Sequence, residues 1–551
     1  MKKIFCLILA MLMILSLITG CGGKPETDTV EADVPAADGS AASNSTEEKK
    51  EPVILNMAMN SAWADLIPYN QSSGGNYSNV VLGLLYDRLY TINPDGSYGP
   101  RGAKSWEIGE DKMSITFHLD ENAKWHDGES VTASDYVFAA KLITDPACPA
   151  NAKNYYYIME GTDDSGNADG TPLGVEAIDE YTVKYTFSEV ISEPVTFTLY
   201  LQHYMALPEH LLGDIAPADY LNQELWNAPI GAGPLKFEST IPGSSLTLVC
   251  NEDYQLGAPK FDKLNITVMN SDSSIPGLLS GDLDLIYPIP SKDNFTALEG
   301  CEHLSYVYRD FATNQKCIYT NNVQIPDARV RKAMDLAIDR ESVAALLGGA
   351  TPISTPVSLG SPYLDPSISA KYDPDAARAL LEECIADGAY DPSDPLVLAT
   401  SGSSGEKLAS FVQQNLQAVG FNVEVQLMES ATMFAGFYDG SVDMGTITKP
   451  SAMNPMYMRT ALSDKRQSYI GWQTSLWDEI ASEFMLAKNA EEEQEIMSKF
   501  QETWLDVVPS IFMAAECENY AYNKRLGDGE SLGLENGAYG CVPVWTWNVK
   551  G

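Results

Sequence analysis

The stretch "ITFHLDENAKWHDGESVTASDYVFAAKLI", from Ile115 to Ile143, commits the chain to α and β structure within one short passage. Ile115, Phe117 and Leu119 alternate with other residues, the period of a strand with one face on a core. Lys124 and Trp125 fit a second strand before Asp127-Gly128 turns the chain. Thr132 stands three residues ahead of Asp135, a capping pattern, and Tyr136, Val137 and Ala140 follow on one helical face. His126 beside Asp127 has the residue types of a general base and its carboxylate, but a tight turn also requires polar residues there.

At 551 residues the chain exceeds one ordinary core, so two or three domains of roughly 100 to 200 residues are expected. The 44% hydrophobic content supports a sizeable core and argues against a disordered, collagen-like or multi-span membrane chain. The net charge of -41 repels phosphate backbones and anionic lipid, so no nucleic acid partner is expected.

The N-terminus has its own logic. Lys2 and Lys3 precede an apolar run from Ile4 to Ile18, followed by Thr19, Gly20 and Cys21: a basic region, an apolar run short for spanning, and a small-residue cleavage context. "LITGC" resembles the lipobox of bacterial lipoproteins, which implies signal peptide 1–20, lipidation of Cys21 and a membrane anchor through acyl chains. Residues 21–51, rich in Ala, Ser, Thr, Asp and Glu, bury little and read as a flexible tether.

Several separated segments carry a second resemblance. "PDGSYGPRGAKSWEI", the stretch around Ile115–Ile143, "ALPEHLL", "GAGPLKF", "NEDYQLGAPKFDKL", "LLSGDLDL", "DARVRKAMDLAIDRESVAALLGG" and "YDPDAARALLEEC" occur in an order that resembles the family 5 extracellular solute-binding proteins of ABC importers, the oligopeptide- and dipeptide-binding lipoproteins. The resemblance implies an α/β, periplasmic-binding-protein-like fold (type II, cluster C), with two lobes, a hinge and an extra subdomain on the first lobe. It implies lobe I at 52–94, 219–310 and 516–551, the extra subdomain at 95–218 and lobe II at 311–515, with hinges near Asp310-Phe311 and Ala515-Glu516. Independently, Val330, Ala333, Met334, Ala337 and Ile338 form one apolar stripe that Asp327 caps and Gly348-Gly349 stops.

Carried over by position, the ligand-binding candidates are Ser61 and Trp63, then Phe311, Thr313, Asn314 and Gln315, and then Ser451. Peptide binders of the family carry an acid in a "W-x-x-D-Y" stretch; here Thr448 and Ser451 stand near those positions, so both expected residues are missing. A buried ammonium without a carboxylate is costly. Two ligand classes stay open: a peptide held differently, or a non-peptide solute such as an oligosaccharide, for which Trp63, Trp472 and Trp477 offer stacking faces, although Trp477 lies in the helical stretch "SLWDEI" and reads better as core.

The implied partners are a peptide or other small polar solute and ABC permease subunits with a separate ATPase, the protein acting as a monomer on the outer face of the bacterial cytoplasmic membrane. No cofactor, metal or catalytic residue is expected. No phosphate loop or G-x-S-x-G elbow occurs, since "SGSSG" (Ser401 to Gly405) has the wrong order. His203 and His210 are seven apart, but Pro208 between them favours a helix start over a metal pair. A secreted hydrolase is the rival class, although no spacing selects an acid pair or a nucleophile with its base. A sensory or adhesive lipoprotein would share every feature above. Seven further cysteines, Cys148 to Cys541, lack CxxC spacing and read as scattered thiols.

Overall fold

The structure is a computed structural model and describes residues 51–70, 75–93, 97–191, 196–197, 200–289, 292–308, 314–450, 471, 475–517, 519–527, 532–534 and 540–550. The signal peptide, Cys21, Phe311, Thr313, Ser451 and Trp472 lie outside the described residues. Pro52–Gly551 forms one compact unit.

Two large sheets organise it. In the first, the strands run in the order Leu304–Val307, Tyr520–Asn523, Leu285–Tyr287, Ile54–Met59, Lys263–Val268, Ser245–Cys250 and Leu235–Ile241. Ile54–Met59 lies between two parallel neighbours, and the pairs farther out are antiparallel. Leu55, Met57 and Met59 are buried, which is why this strand opens the body directly after the polar leader.

In the second sheet the order is Thr351–Pro352, Ser510–Glu516, Asn314–Thr320, Met444–Pro450, Leu396–Thr400 and Val423–Leu427. Ile318 on one face joins Val330, Met334, Leu381, Leu408 and Val412 in a helix-covered core. Cys317 and Tyr319, of opposite parity, belong to a second core with Trp477, Phe500, Trp504 and Phe512. Trp477 is 1% exposed in the helix Ser475–Leu486, so it is a packing residue rather than a stacking platform.

The chain passes between the sheets twice. Residues 308–313 join Leu304–Val307 to Asn314–Thr320, and 517–519 join Ser510–Glu516 to Tyr520–Asn523. The flanking strands pair antiparallel on both sides, Val307 with Tyr520 and Asn314 with Glu516.

A four-stranded antiparallel sheet, Ala103–Ile108, Ser114–Leu119, Thr182–Thr186 and Val175–Asp179, forms the extra subdomain with the helix Ala133–Thr144. The expected alternation holds: Ile115, Phe117 and Leu119 are buried. Lys124 makes only an isolated bridge to Ser130. The Asp135 carboxylate accepts from the Thr132 backbone N–H at 2.8 Å and its hydroxyl at 3.3 Å, fixing the helix start.

The helix expected from Asp327 to the glycines is two helices, Ala328–Ala337 and Arg340–Leu346. Ile338 leaves helical geometry at φ −88°, ψ 117°, while Asp339 caps the second helix through Ser342 N–H at 3.1 Å. The break lets Arg340, 6% exposed, reach the Phe512 carbonyl at 2.8 Å and the Asp335 carboxylate.

Candidate functional site

In both large sheets, parallel strands deliver their carboxyl ends to polar loops, the position where open α/β sheets form crevices. In the first sheet this is the loop after Met59, where the Asn60 amide donates to the Pro288 carbonyl and so joins the ends of two parallel strands. Ser61 is exposed in that loop, whereas Trp63, 5% exposed, packs in the core.

In the second sheet, Met444–Pro450 pairs along its whole length with Asn314–Thr320. On its other side it meets Leu396–Thr400 at only two places, Leu398 to Met444 and Ala399 to Gly445. The register with Leu396–Thr400 stops at Gly445.

A cavity of ≈ 340 Å³ lies against this strand, lined by Lys316, Ser401, Ser430, Thr446 and Thr448, with Leu408, Met433 and Phe434 as apolar wall. The Thr400 and Thr446 hydroxyls hydrogen-bond at 2.6 Å, tying the two strands where their ladder ends. Lys316 Nζ donates to Thr448 Oγ1 at 3.0 Å and pairs with Glu516 Oε2 at 2.9 Å. The lining thus combines hydroxyls, one paired ammonium and aliphatic surface, which suits recognition of a mixed polar and apolar solute.

Of the expected residues, Asn314 is half-buried at the start of its strand, opposite Pro450 and Glu516. Gln315 is 1% exposed, and its amide donates to the Pro356 carbonyl at 3.2 Å, so it anchors a neighbouring loop. Its neighbour Lys316 faces the cavity, since successive strand residues point to opposite faces. Lys449, across from Gln315, lies with Nζ 5.8 Å from the Tyr319 ring centroid, and burial pulls its pKa down to about 7. Thr448 was reached by position, near the family's Trp, while Lys316, Ser430 and Thr446 escaped sequence reasoning; the signal for Ser401 was "SGSSG", a strand-to-helix turn at the carboxyl end of Leu396–Thr400.

The histidines have structural partners. The His126 Nδ1 accepts from Gly231 N–H at 3.1 Å, so Nε2 donates to the Gly233 carbonyl at 3.0 Å. A Cβ at Gly231 would come within 1.9 Å of the Leu85 carbonyl oxygen, which explains the glycine there. His203 stacks on Tyr155 at 3.5 Å, and His210 pairs with Asp127 at 2.9 Å. Among the described residues no group of three or more His, Cys, Asp or Glu side chains could hold a metal ion.

Known proteins share this architecture. The structure of the oligopeptide-binding protein AppA from Bacillus subtilis, in complex with a nonapeptide, superposes with a TM-score of 0.72 at 20% identity, covering 91% of this chain and all of that one. A Brucella ovis protein, whose name assigns it provisionally to ABC transporter peptide binding, is 31% identical over 344 residues, 60% of each chain. The chain therefore spans less than two thirds of that relative's length. The glutathione-binding protein GsiB of Pectobacterium atrosepticum is 25% identical over 87% of this chain and 91% of its own. The profile of the bacterial extracellular solute-binding proteins, family 5, matches residues 97–467, more than half the chain. The fold is accordingly the two-lobed, type II arrangement of that family. By that match over residues 97–467, this chain belongs to the bacterial extracellular solute-binding proteins, family 5.

Proposed function

We propose that the protein is the lipid-anchored solute-binding component of an ABC importer, which captures a peptide or peptide-like solute between two lobes and delivers it to a membrane permease. The observation that carries this reading is the ≈ 340 Å³ cavity where the ladder between Leu396–Thr400 and Met444–Pro450 stops at Gly445: an extended ligand lies along that strand, and one of its side chains enters the cavity. Lobe I comprises 52–94, 219–310 and 516–551, the extra subdomain 95–218, and lobe II 311–515, an assignment supported by the membership of the two large sheets. The solute stabilises the closed form through its differential affinity for it, and closure bends the two chain passages between the sheets. The protein performs no chemistry on the solute and acts as a monomer, held by Cys21 on the outer face of the bacterial cytoplasmic membrane, while a separate ATPase powers transport.

A second reading, a non-peptide polar solute such as an oligosaccharide, draws on the cavity's polar side chains, which are Lys316, itself paired with Glu516, and the hydroxyls of Ser401, Ser430, Thr446 and Thr448. Native mass spectrometry of residues 52–551, followed by denaturation and identification of the released molecule, tests both. A bound peptide of a few residues is expected; a bound sugar replaces the first reading by the second, and failure to bind any member of a peptide or sugar panel rejects both. For the anchor, Cys21→Ala is expected to abolish acylation, and an acylated mutant rejects Cys21 as the site.

A further inference from the structure

We propose that Cys301 is a modification site: a thiol activated by His303 that attacks a small-molecule disulfide and retains half of it as a mixed disulfide. This inference is independent of the solute-binding reading, because it rests on a side-chain cluster at the edge strand Leu304–Val307 of the first sheet.

Cys301 and His303 are both half-exposed, in the turn between the helix Lys292–Leu298 and that strand. Their side chains meet with Cys301 Sγ 3.3 Å from His303 Nδ1. The other ring nitrogen, Nε2, donates to the Leu278 carbonyl at 3.1 Å, so Nδ1 carries the lone pair and faces the thiol. Leu278 lies in the last turn of the helix Ser271–Ser280, and its carbonyl also accepts from the Gly281 N–H at 3.3 Å, so the group that holds the ring is itself fixed. Nucleophile, base and a group that orients the base are therefore in sequence, the geometry in which a base can take the proton from its nucleophile. The backbone of Cys301 is held as well: its N–H donates to the Tyr306 hydroxyl at 2.9 Å, and that hydroxyl donates to the Leu298 carbonyl at 2.6 Å.

Cys148, Cys317, Cys384 and Cys541 are buried. Burial pushes the Cys317 thiol up to about 12. Cys250 is half-exposed, but burial together with Glu252 and Asp262 pushes its thiol up to about 11. Cys517 is the remaining half-exposed thiol, in the second passage between the sheets.

In the proposed step the Cys301 proton passes to His303 Nδ1 and the thiolate attacks one sulfur of the disulfide. The S–S bond of the small molecule breaks as the new one forms, and its departing thiolate takes the proton from Nδ1. No other oxidant is required, and an exported chain meets such disulfides in an oxidising compartment.

The test treats the fully reduced, folded full-length chain with cystine and maps each thiol by peptide mass spectrometry over time. Cys301 is expected to react at least about tenfold faster than Cys250 or Cys517, and His303→Gln to slow Cys301 by about tenfold without altering those two rates. Prior reaction of another described thiol overturns the proposal, as does a Cys301 rate unchanged by His303→Gln. The wild-type ranking needs no variant, so it decides the question even where His303→Gln perturbs the turn.

Discussion

Lys316 and Glu516 form a diagonal ion pair of 2.9 Å between neighbouring strands, close to where the chain enters and leaves the second sheet. Both side chains retain some solvent access, at 18% and 35%, so the pair is worth about 0.5–1 kcal/mol. Glu516→Gln is expected to lower unfolding free energy by that amount in dilute buffer and by less at about 1 M salt, where the screening length falls to roughly 3 Å. Urea titrations at the two salt concentrations check it; a salt-independent loss points to packing instead.

His126 gives the fold a dependence on acid. Burial pulls its pKa from 6.5 to about 4, with Lys236 adding to the shift and Asp127 opposing it. The folded value lies below the unfolded one, so the neutral ring stabilises the fold fully above about pH 6.5, and this contribution disappears as pH falls through 4. The stability gap between wild type and His126→Gln is expected to shrink by about 2–3 kcal/mol between pH 7 and pH 4. Denaturant midpoints across that range measure the gap, and a constant gap refutes the assignment.

The Asp335–Arg340 pair is buried, with side chains 3% and 7% exposed. Asp335→Ala strands the Arg340 guanidinium without its carboxylate and is expected to cost about 3–5 kcal/mol. Thermal and urea unfolding test this; a loss below about 1 kcal/mol means that the Phe512 and Ile353 carbonyls suffice for the arginine.

Ser430 is exposed at the rim of the cavity. Ser430→Trp is expected to leave unfolding free energy within about 0.5 kcal/mol of wild type, because surface substitutions usually do so. It is expected to weaken solute binding by at least about tenfold by filling the cavity. Native mass spectrometry and calorimetry with the identified solute decide; unchanged affinity removes the cavity from the site.

Local pattern made several elements legible. The alternation at Ile115, Phe117 and Leu119 and the reciprocal contacts of Thr132 and Asp135 are short-range, so the sequence carries them directly. The break at Ile338 was hidden because the apolar stripe continues through it: Ile338 is buried with Val330 and Met334 although its backbone is no longer helical. The break goes with a new local cap, Asp339 on the Ser342 N–H, and with a tertiary contact, Arg340 on the Phe512 carbonyl of a distant strand.

The site was legible only to its neighbourhood. Position along the chain led to Asn314 and Gln315, but which face of that strand meets the cavity depends on a one-residue parity, and Lys316 rather than Gln315 has it. Ser430, Thr446 and Thr448 converge through a parallel ladder that stops at Gly445, an arrangement with no signature in spacing.

The two passages between the sheets differ in length, residues 308–313 against 517–519, yet both begin and end on strands paired with one another. A single strap leaves the bodies it joins free to swivel. Two straps anchored about one strand spacing apart, roughly 4.8 Å, provide a lever arm against torsion. For the hinge proposed above, this double attachment favours bending about one axis over twisting.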